Sequence, residues 1–149
     1  MLVSDIMTTN PRTVSPDAKL REVASIMCLY RIPALPVIDA DGKLVGNISE
    51  MDVLKNLLPT QEDFMSGNAV LEIEQMLPNY GASMNRSVAD LMNKNPVSVS
   101  PDQHVLKATA KMTSHRFRRI PVVDGDGKLV GVMSLGDVHK AAFQTYVSM

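Results

Sequence analysis

Apolar and polar positions along this chain follow two patterns in alternation, and the alternation occurs twice. Leu20, Val23, Met27 and Tyr30 fall at helical spacing, as do Val105, Ala108, Met112 and His115. Each set predicts a helix with one inward face. Lys19, Arg21 and Glu22 lie mostly off the first stripe. Two short apolar runs follow each helix: Leu35 to Ile38 and Leu44 to Ile48, then Ile120 to Val123 and Leu129 to Met133. Runs of this length read as buried strands. Asp39-Ala40-Asp41-Gly42 and Asp124-Gly125-Asp126-Gly127 separate the paired runs, and Asp-Gly is a strong hairpin signal. Gly46 and Gly131 interrupt the return strands, which predicts a bulge or a close backbone approach.

The flanks repeat as well. Val3-Ser4-Asp5-Ile6-Met7 and Val88-Ala89-Asp90-Leu91-Met92 open the two halves as short amphipathic pieces. Asn10-Pro11 and Asn95-Pro96 break them, because proline disfavours helix in the residue before it. Arg12-Thr13-Val14 and Val97-Ser98-Val99 read as short extended runs. Ser15-Pro16-Asp17 and Ser100-Pro101-Asp102 read as helix starts: serine caps, proline takes the first turn, and aspartate suits the positive end of the dipole. A second helix begins at Ser49 and Ser134; the first copy carries Val53, Leu54, Leu57 and Leu58 to Pro59, the second Val138, Ala141, Ala142 and Tyr146. Val3 to Val53 thus aligns with Val88 to Val138 without a gap, and about twenty positions are identical. The expected organisation is a first repeat over 1–59, a helical connecting arm over 60–87 and a second repeat over 88–149. Within the arm, Val70 to Leu77 has helical spacing and stops at Pro78, and Asn79 to Ser87 reads as loop.

Composition narrows the function. Fifteen basic and sixteen acidic residues leave a net charge of −1, which argues against a broad nucleic-acid or membrane surface. Aromatics are 4% of the chain and Trp is absent, so aliphatic residues and eleven Met fill the core. The one cysteine, Cys28, excludes an intrachain disulfide and a cysteine-cluster metal site; its place beside the apolar stripe predicts a buried small hydrophobe. No apolar run reaches the roughly 18 residues of a membrane span, and Met1 to Asn10 lacks the regions of a signal peptide. The expected compartment is the cytoplasm. Asp124-x-Asp126-Gly127 reads as a turn and not a calcium loop, for want of the ligand spacing and closing glutamate. His104, His115 and His139 form no i,i+4 pair, and no catalytic constellation is visible. The chain is expected not to be an enzyme and to require no cofactor.

The two copies of the extended pattern, L-P-V-I-D-A-D-G-K-L-V-G-N-I-S-E-M-D and I-P-V-V-D-G-D-G-K-L-V-G-V-M-S-L-G-D, resemble a tandem pair of CBS (cystathionine-β-synthase-type) domains, a Bateman module. The resemblance implies an α/β fold of two β-α-β-β-α repeats packed face to face with pseudo-twofold symmetry. It also implies a cleft between the repeats that takes an adenosine-type ligand, and pairing of modules into a homodimer.

Ser49-x-x-Asp52 and Ser134-x-x-Asp137 admit two readings. As capping boxes, serine caps the helix and the acid sits in the first turn. As a ligand site, the helix start and hydroxyl meet a phosphate while the carboxylate accepts from ribose hydroxyls. The resemblance implies the second: Asp52 and Asp137 on ribose, Ser49 and Ser134 on phosphate. Before the second strand the copies diverge. Arg31 matches Arg116, but Pro33 and Ala34 are replaced by Arg118 and Arg119. The resemblance places this segment in the cleft, and arginine's planar fork suits phosphate, so Arg118 and Arg119 are phosphate candidates. Arg31, Pro33, Ala34 and Arg116 are candidate lining. The bland alternative is a solvated basic loop. The resemblance implies that Thr13 and Ser98, on the first short strands, lie near the base; alternating exposure along a strand explains them as well.

The expected function is a non-catalytic regulatory module that binds AMP, ADP, ATP or a related adenosyl compound and acts on a separate partner protein. The alternatives are a ligand-free dimerisation scaffold and a nucleic-acid contact through Arg116 to Arg119. Net charge and a lack of interleaved aromatics argue against the last.

Overall fold

The computed structural model describes residues 1–55, 61–67 and 73–149. In order, the elements are α1 (Val3–Ile6), α2 (Leu20–Tyr30), β1 (Ala34–Ile38), β2 (Leu44–Ser49), α3 (Glu50–Leu54), α4 (Gln61–Ser66), α5 (Ile73–Ser83), α6 (Val88–Leu91), α7 (Val105–Ser114), β3 (Arg119–Val123), β4 (Leu129–Ser134) and α8 (Leu135–Val147). The expected continuation of α3 through Leu57 and Leu58 to Pro59 lies outside the described residues. The strands form two two-stranded sheets, β1 with β2 and β3 with β4.

The hairpins form as the Asp-Gly turns require. Gly42 and Gly127 both adopt φ +81°, a left-handed conformation that costs glycine little. Asp39 and Asp124 fix the turns from below: each Oδ1 accepts from backbone N–H groups two and four residues on. In the second hairpin Ile120 pairs with Met133 and Val122 with Gly131; Val123 then pairs with Leu129, so Val130 sits in an extra position. That is a bulge on β4. The expected first strand of each repeat is a single parallel bridge, Val14 with Val37 and Val99 with Val122. Val14 and Val99 donate to the carbonyls of Pro36 and Pro121 at 3.1 and 3.0 Å.

The residues divide into two compact units. One holds Val14–Val37 and Val45–Lys94; the other holds Met1–Thr13, Ile38–Leu44 and Asn95–Met149. Val14, Leu20, Val23, Met27, Leu35, Val37, Ile48, Val53 and Val88 make the core of the first unit. Val3, Val99, Ala108, Met112, Ile120, Val122 and Met133 make the core of the second. Each repeat's opening helix therefore fills the other repeat's core: Val88 of α6 lies with Leu20 and Ile48, and Val3 of α1 lies with Ile120 and Met133. Two glycines admit these helices. A Cβ on Gly46 would stand 2.5 Å from Met92 Sδ and 3.0 Å from Asn93 O; one on Gly131 would stand 2.8 Å from both Met7 Sδ and Thr8 O. The close approach expected at both positions is present.

Several local expectations are corrected. Helices α2 and α7 begin at Leu20 and Val105, beyond Ser15-Pro16-Asp17 and Ser100-Pro101-Asp102. Those triplets form turns, with Ser15 Oγ accepting from Asp17 N–H and the Ser100 hydroxyl bonded to Asp102. The start of α2 is satisfied from afar: Leu20 and Arg21 donate to Arg86 O and Met84 O at 3.0 and 3.1 Å. His104 caps α7 through its ring nitrogen, which accepts from Leu106 N–H. Tyr30 and His115 end the predicted stripes but point outward, Tyr30 with 51% exposure. Cys28 is exposed and not buried. Helix α5 runs through Pro78 to Ser83, where a stop at Pro78 and a loop from Asn79 were expected. Tyr80 and Met84 explain it: four residues apart, both pack on the first core. The proline forfeits its own bond to Glu74 O, a carbonyl on an exposed residue within reach of water.

Candidate functional site

Each candidate site is built where a return strand turns directly into a helix. Ser49 ends β2 and caps α3 with φ −115° and ψ 166°; Ser134 ends β4 and caps α8 with φ −111° and ψ 161°. Extended backbone at the cap lets the serine side chain fold back over the first turn. Ser49 Oγ accepts from Asp52 N–H at 3.3 Å while Asp52 Oδ2 accepts from Ser49 N–H at 2.8 Å. Ser134 Oγ accepts from Asp137 N–H at 3.0 Å while Asp137 Oδ2 accepts from Ser134 N–H at 2.9 Å. Both capping boxes are complete. In the first, the Ser49 hydroxyl also donates to Asp52 Oδ2, at 3.0 Å. All four side chains are half-buried.

The segment before each hairpin is pinned against this frame. Glu50, the first residue of α3, donates its N–H to Pro33 O, and Leu135, the first residue of α8, donates to Arg118 O, both at 2.9 Å. Arg119 lies directly opposite Ser134 in the β3–β4 register. Directly paired residues stand with Cβ atoms about 5 Å apart on one face of the sheet. The second unit thus sets Arg119 beside the Ser134–Asp137 box and ties the Arg118 backbone to the first turn of α8. The first unit holds Pro33, Ser49 and Asp52 in the matching frame, with Ala34 at the start of β1.

Arg31 and Arg116 reach this segment by the same backbone device. Both adopt left-handed φ, 53° and 58°. The turn this produces lets the next residue donate back to its helix: Ile32 N–H to Met27 O at 3.2 Å, and Phe117 N–H to Met112 O at 2.9 Å. Phe117 was not singled out from the sequence. It stands 37% exposed, and its ring stacks on His115 at 5.1 Å between centroids and 22° between planes. The signal was present, since Phe117 interrupts the arginine run and aligns with apolar Ile32. An aromatic is therefore interleaved in the basic run after all. Thr13 and Ser98 are half-buried and immediately precede the bridging residues Val14 and Val99. Ser98 O accepts from Lys111 Nζ at 2.7 Å.

Among the described residues no cluster of three or more His, Cys, Asp or Glu is placed to hold a metal ion. No helix among them is long and apolar enough to cross a membrane.

Two α/β repeats, each carrying a hairpin that ends in a Ser-x-x-Asp box, define a tandem α/β module. The CBS domain model matches residues 3–59 and again 88–143, and the chain belongs to the CBS-domain family. Among relatives, it is 31% identical over 153 residues to an uncharacterized protein, MJ1426, of Methanocaldococcus jannaschii, covering 95% of this chain and 90% of that one. It is 31% identical over 157 residues to the chloroplastic CBS domain-containing protein CBSX2 of Arabidopsis thaliana, covering 95% of this chain. The chain spans 63% of that plant protein's length. The crystal structure of CBSX2 in complex with AMP superposes with a TM-score of 0.76 at 31% identity, covering 97% of this chain and 98% of the other.

Proposed function

We propose that this chain is a non-catalytic regulatory module that binds an adenine nucleotide or related adenosyl compound at its Ser-x-x-Asp frames. The observation that carries this reading is how the carboxylates are bonded. In each box Oδ2 accepts from the serine N–H, which leaves Oδ1 to accept from a ribose hydroxyl in this reading. Asp52 and Asp137 hold ribose in this reading, and Ser49 and Ser134 face phosphate. Arg118 and Arg119 add charge-assisted bonds at the second frame, where Arg119 is already paired across from Ser134. Thr13 and Ser98 are the residues proposed for the base. The AMP complex of CBSX2, a relative at 31% identity, supports the ligand class.

Ligand binding regulates only where it favours one of two states. The states proposed are two arrangements of a homodimer of modules, read by a separate partner protein. A thermal-shift panel of AMP, ADP, ATP, S-adenosylmethionine, NAD and GMP tests the ligand. A compound at a hundredfold excess over its Kd stabilises the folded chain by about 2.7 kcal/mol, a rise of several degrees. Adenine-selective shifts that vanish in Asp52→Ala and Asp137→Ala together support the assignment. An unchanged shift in both variants sinks it.

One observation favours a second reading. Both boxes are closed, so capping alone accounts for Ser49, Asp52, Ser134 and Asp137, and α8 buries no residue while exposing Phe143, Tyr146 and Val147. On this reading the chain is a ligand-free dimerisation scaffold. It predicts a flat panel and a dimer indifferent to nucleotide.

A further inference from the structure

The two frames share a backbone and differ in charge, which makes each a control for the other. Their caps agree within a few degrees, and both first helical N–H groups donate to the preceding segment at 2.9 Å. Ser49 matches Ser134, Asp52 matches Asp137, Arg31 matches Arg116 and Lys55 matches Lys140. What differs is Glu50 against Leu135, Met51 against Gly136, and Pro33-Ala34 against Arg118-Arg119. Setting aside the shared lysine, the first frame has one guanidinium against two carboxylates. The second has three guanidiniums against one carboxylate.

We infer that the two frames divide ligands by charge, and that Glu50 is the residue that sets the preference of the first. The inference rests on reading both frames as nucleotide sites. The second frame takes an adenosyl ligand with a 5′-phosphate. The first takes an adenosyl compound whose 5′ position carries no anion. Glu50 is exposed and adjoins Ser49, the residue assigned to phosphate. A carboxylate there repels a phosphate dianion, and Pro33 and Ala34 stand where the second frame has Arg118 and Arg119 to offset such a charge. At a separation of several ångströms near the surface, that repulsion amounts to about a tenfold loss of affinity. Leu135 imposes no such repulsion on the second frame. A carboxylate at the first helical position also suits the helix dipole, and that structural role alone predicts no effect on ligand choice.

The test is calorimetric titration of the full chain with AMP and with adenosine, which differ only in the phosphate. In the wild type, AMP should fill one tight site per chain and a second site much more weakly. Glu50→Gln keeps the side chain's shape and removes its charge. It should tighten the weak AMP site about tenfold and change adenosine affinity less than twofold. Leu135→Glu should weaken the tight AMP site by a similar factor. Two equal AMP sites in the wild type overturn the inference. So does a Glu50→Gln variant in which AMP and adenosine shift together or not at all. In both cases nucleotide binding itself stands. Failure of both probes to bind removes the nucleotide reading, and this inference with it.

Discussion

Gly131→Ala tests how the opening helix is held. Gly131 is buried and pairs with Val122, and an added Cβ would meet Met7 Sδ and Thr8 O, each at 2.8 Å. The methionine sulfur sits near the end of a flexible side chain and can swing aside. The carbonyl cannot, because Thr8 exchanges two backbone bonds with Val132, at 2.9 and 3.0 Å. Opening that pair loses about 1 kcal/mol per bond. If α1 also lifts, the fully buried Val3 adds about 2 kcal/mol. Alanine regains about 0.5–1 kcal/mol over glycine in a strand. The net loss is about 1–3 kcal/mol, a large share of a typical 5–15 kcal/mol stability. Urea unfolding measures it, and amide exchange at Thr8 and Val132 locates it. Gly46→Ala is the paired control: its shortest contact is to Met92 Sδ, while Asn93 O lies at 3.0 Å, so it should cost less. A Gly131→Ala variant within about 0.5 kcal/mol of wild type, or a costlier Gly46→Ala, would refute the reasoning.

Three further outcomes follow from single residues. Gly127→Ala should destabilise by about 1 kcal/mol through its φ of +81° alone, whereas Gly125→Ala, equally open but with no positive φ, should change stability by less than about 0.5 kcal/mol; denaturant midpoints decide. Arg116→Gly should raise stability by about 0.5 kcal/mol by relieving a left-handed φ of 58°, while weakening AMP binding if Arg116 lines the site; melting with and without AMP separates the two. Asp137→Ala removes half of a capping box and should cost about 1 kcal/mol without ligand, in addition to any loss of ligand stabilisation.

The sequence carried those features whose cause is local. Asp-Gly turns, the two Ser-x-x-Asp caps and the buried triads Leu20, Val23, Met27 and Val105, Ala108, Met112 depend on neighbours a few residues away, and they stand as expected. The two failures at helix ends share a nonlocal cause. Ser15 reads as a cap in any short window, yet α2 starts at Leu20 because Met84 and Arg86 supply acceptors more than sixty residues on. Pro78 reads as a stop, but Tyr80 and Met84 gain a core by continuing the helix. Cys28 and Tyr30 lie next to the inward face without belonging to it. At the candidate site, the capping boxes of Ser49 with Asp52 and Ser134 with Asp137 are legible from spacing. The pairing of Arg119 with Ser134 required the register, and the place of Phe117 required the left-handed turn at Arg116.

The exchange of opening helices also sets an order of events during synthesis. Val3 is translated first, but its core partners extend to Met133. At 5–20 residues per second, it waits roughly ten seconds for the last of them. The socket that Val88 will fill is lined by Leu20, Leu35 and Ile48, which emerge well before Val88 does. Meanwhile the nascent chain already carries Val3-Ser4-Asp5-Ile6-Met7, a near copy of Val88-Ala89-Asp90-Leu91-Met92. The growing chain therefore presents Val3 to Met7 to that socket several seconds before it presents Val88 to Met92, the segment that fills it.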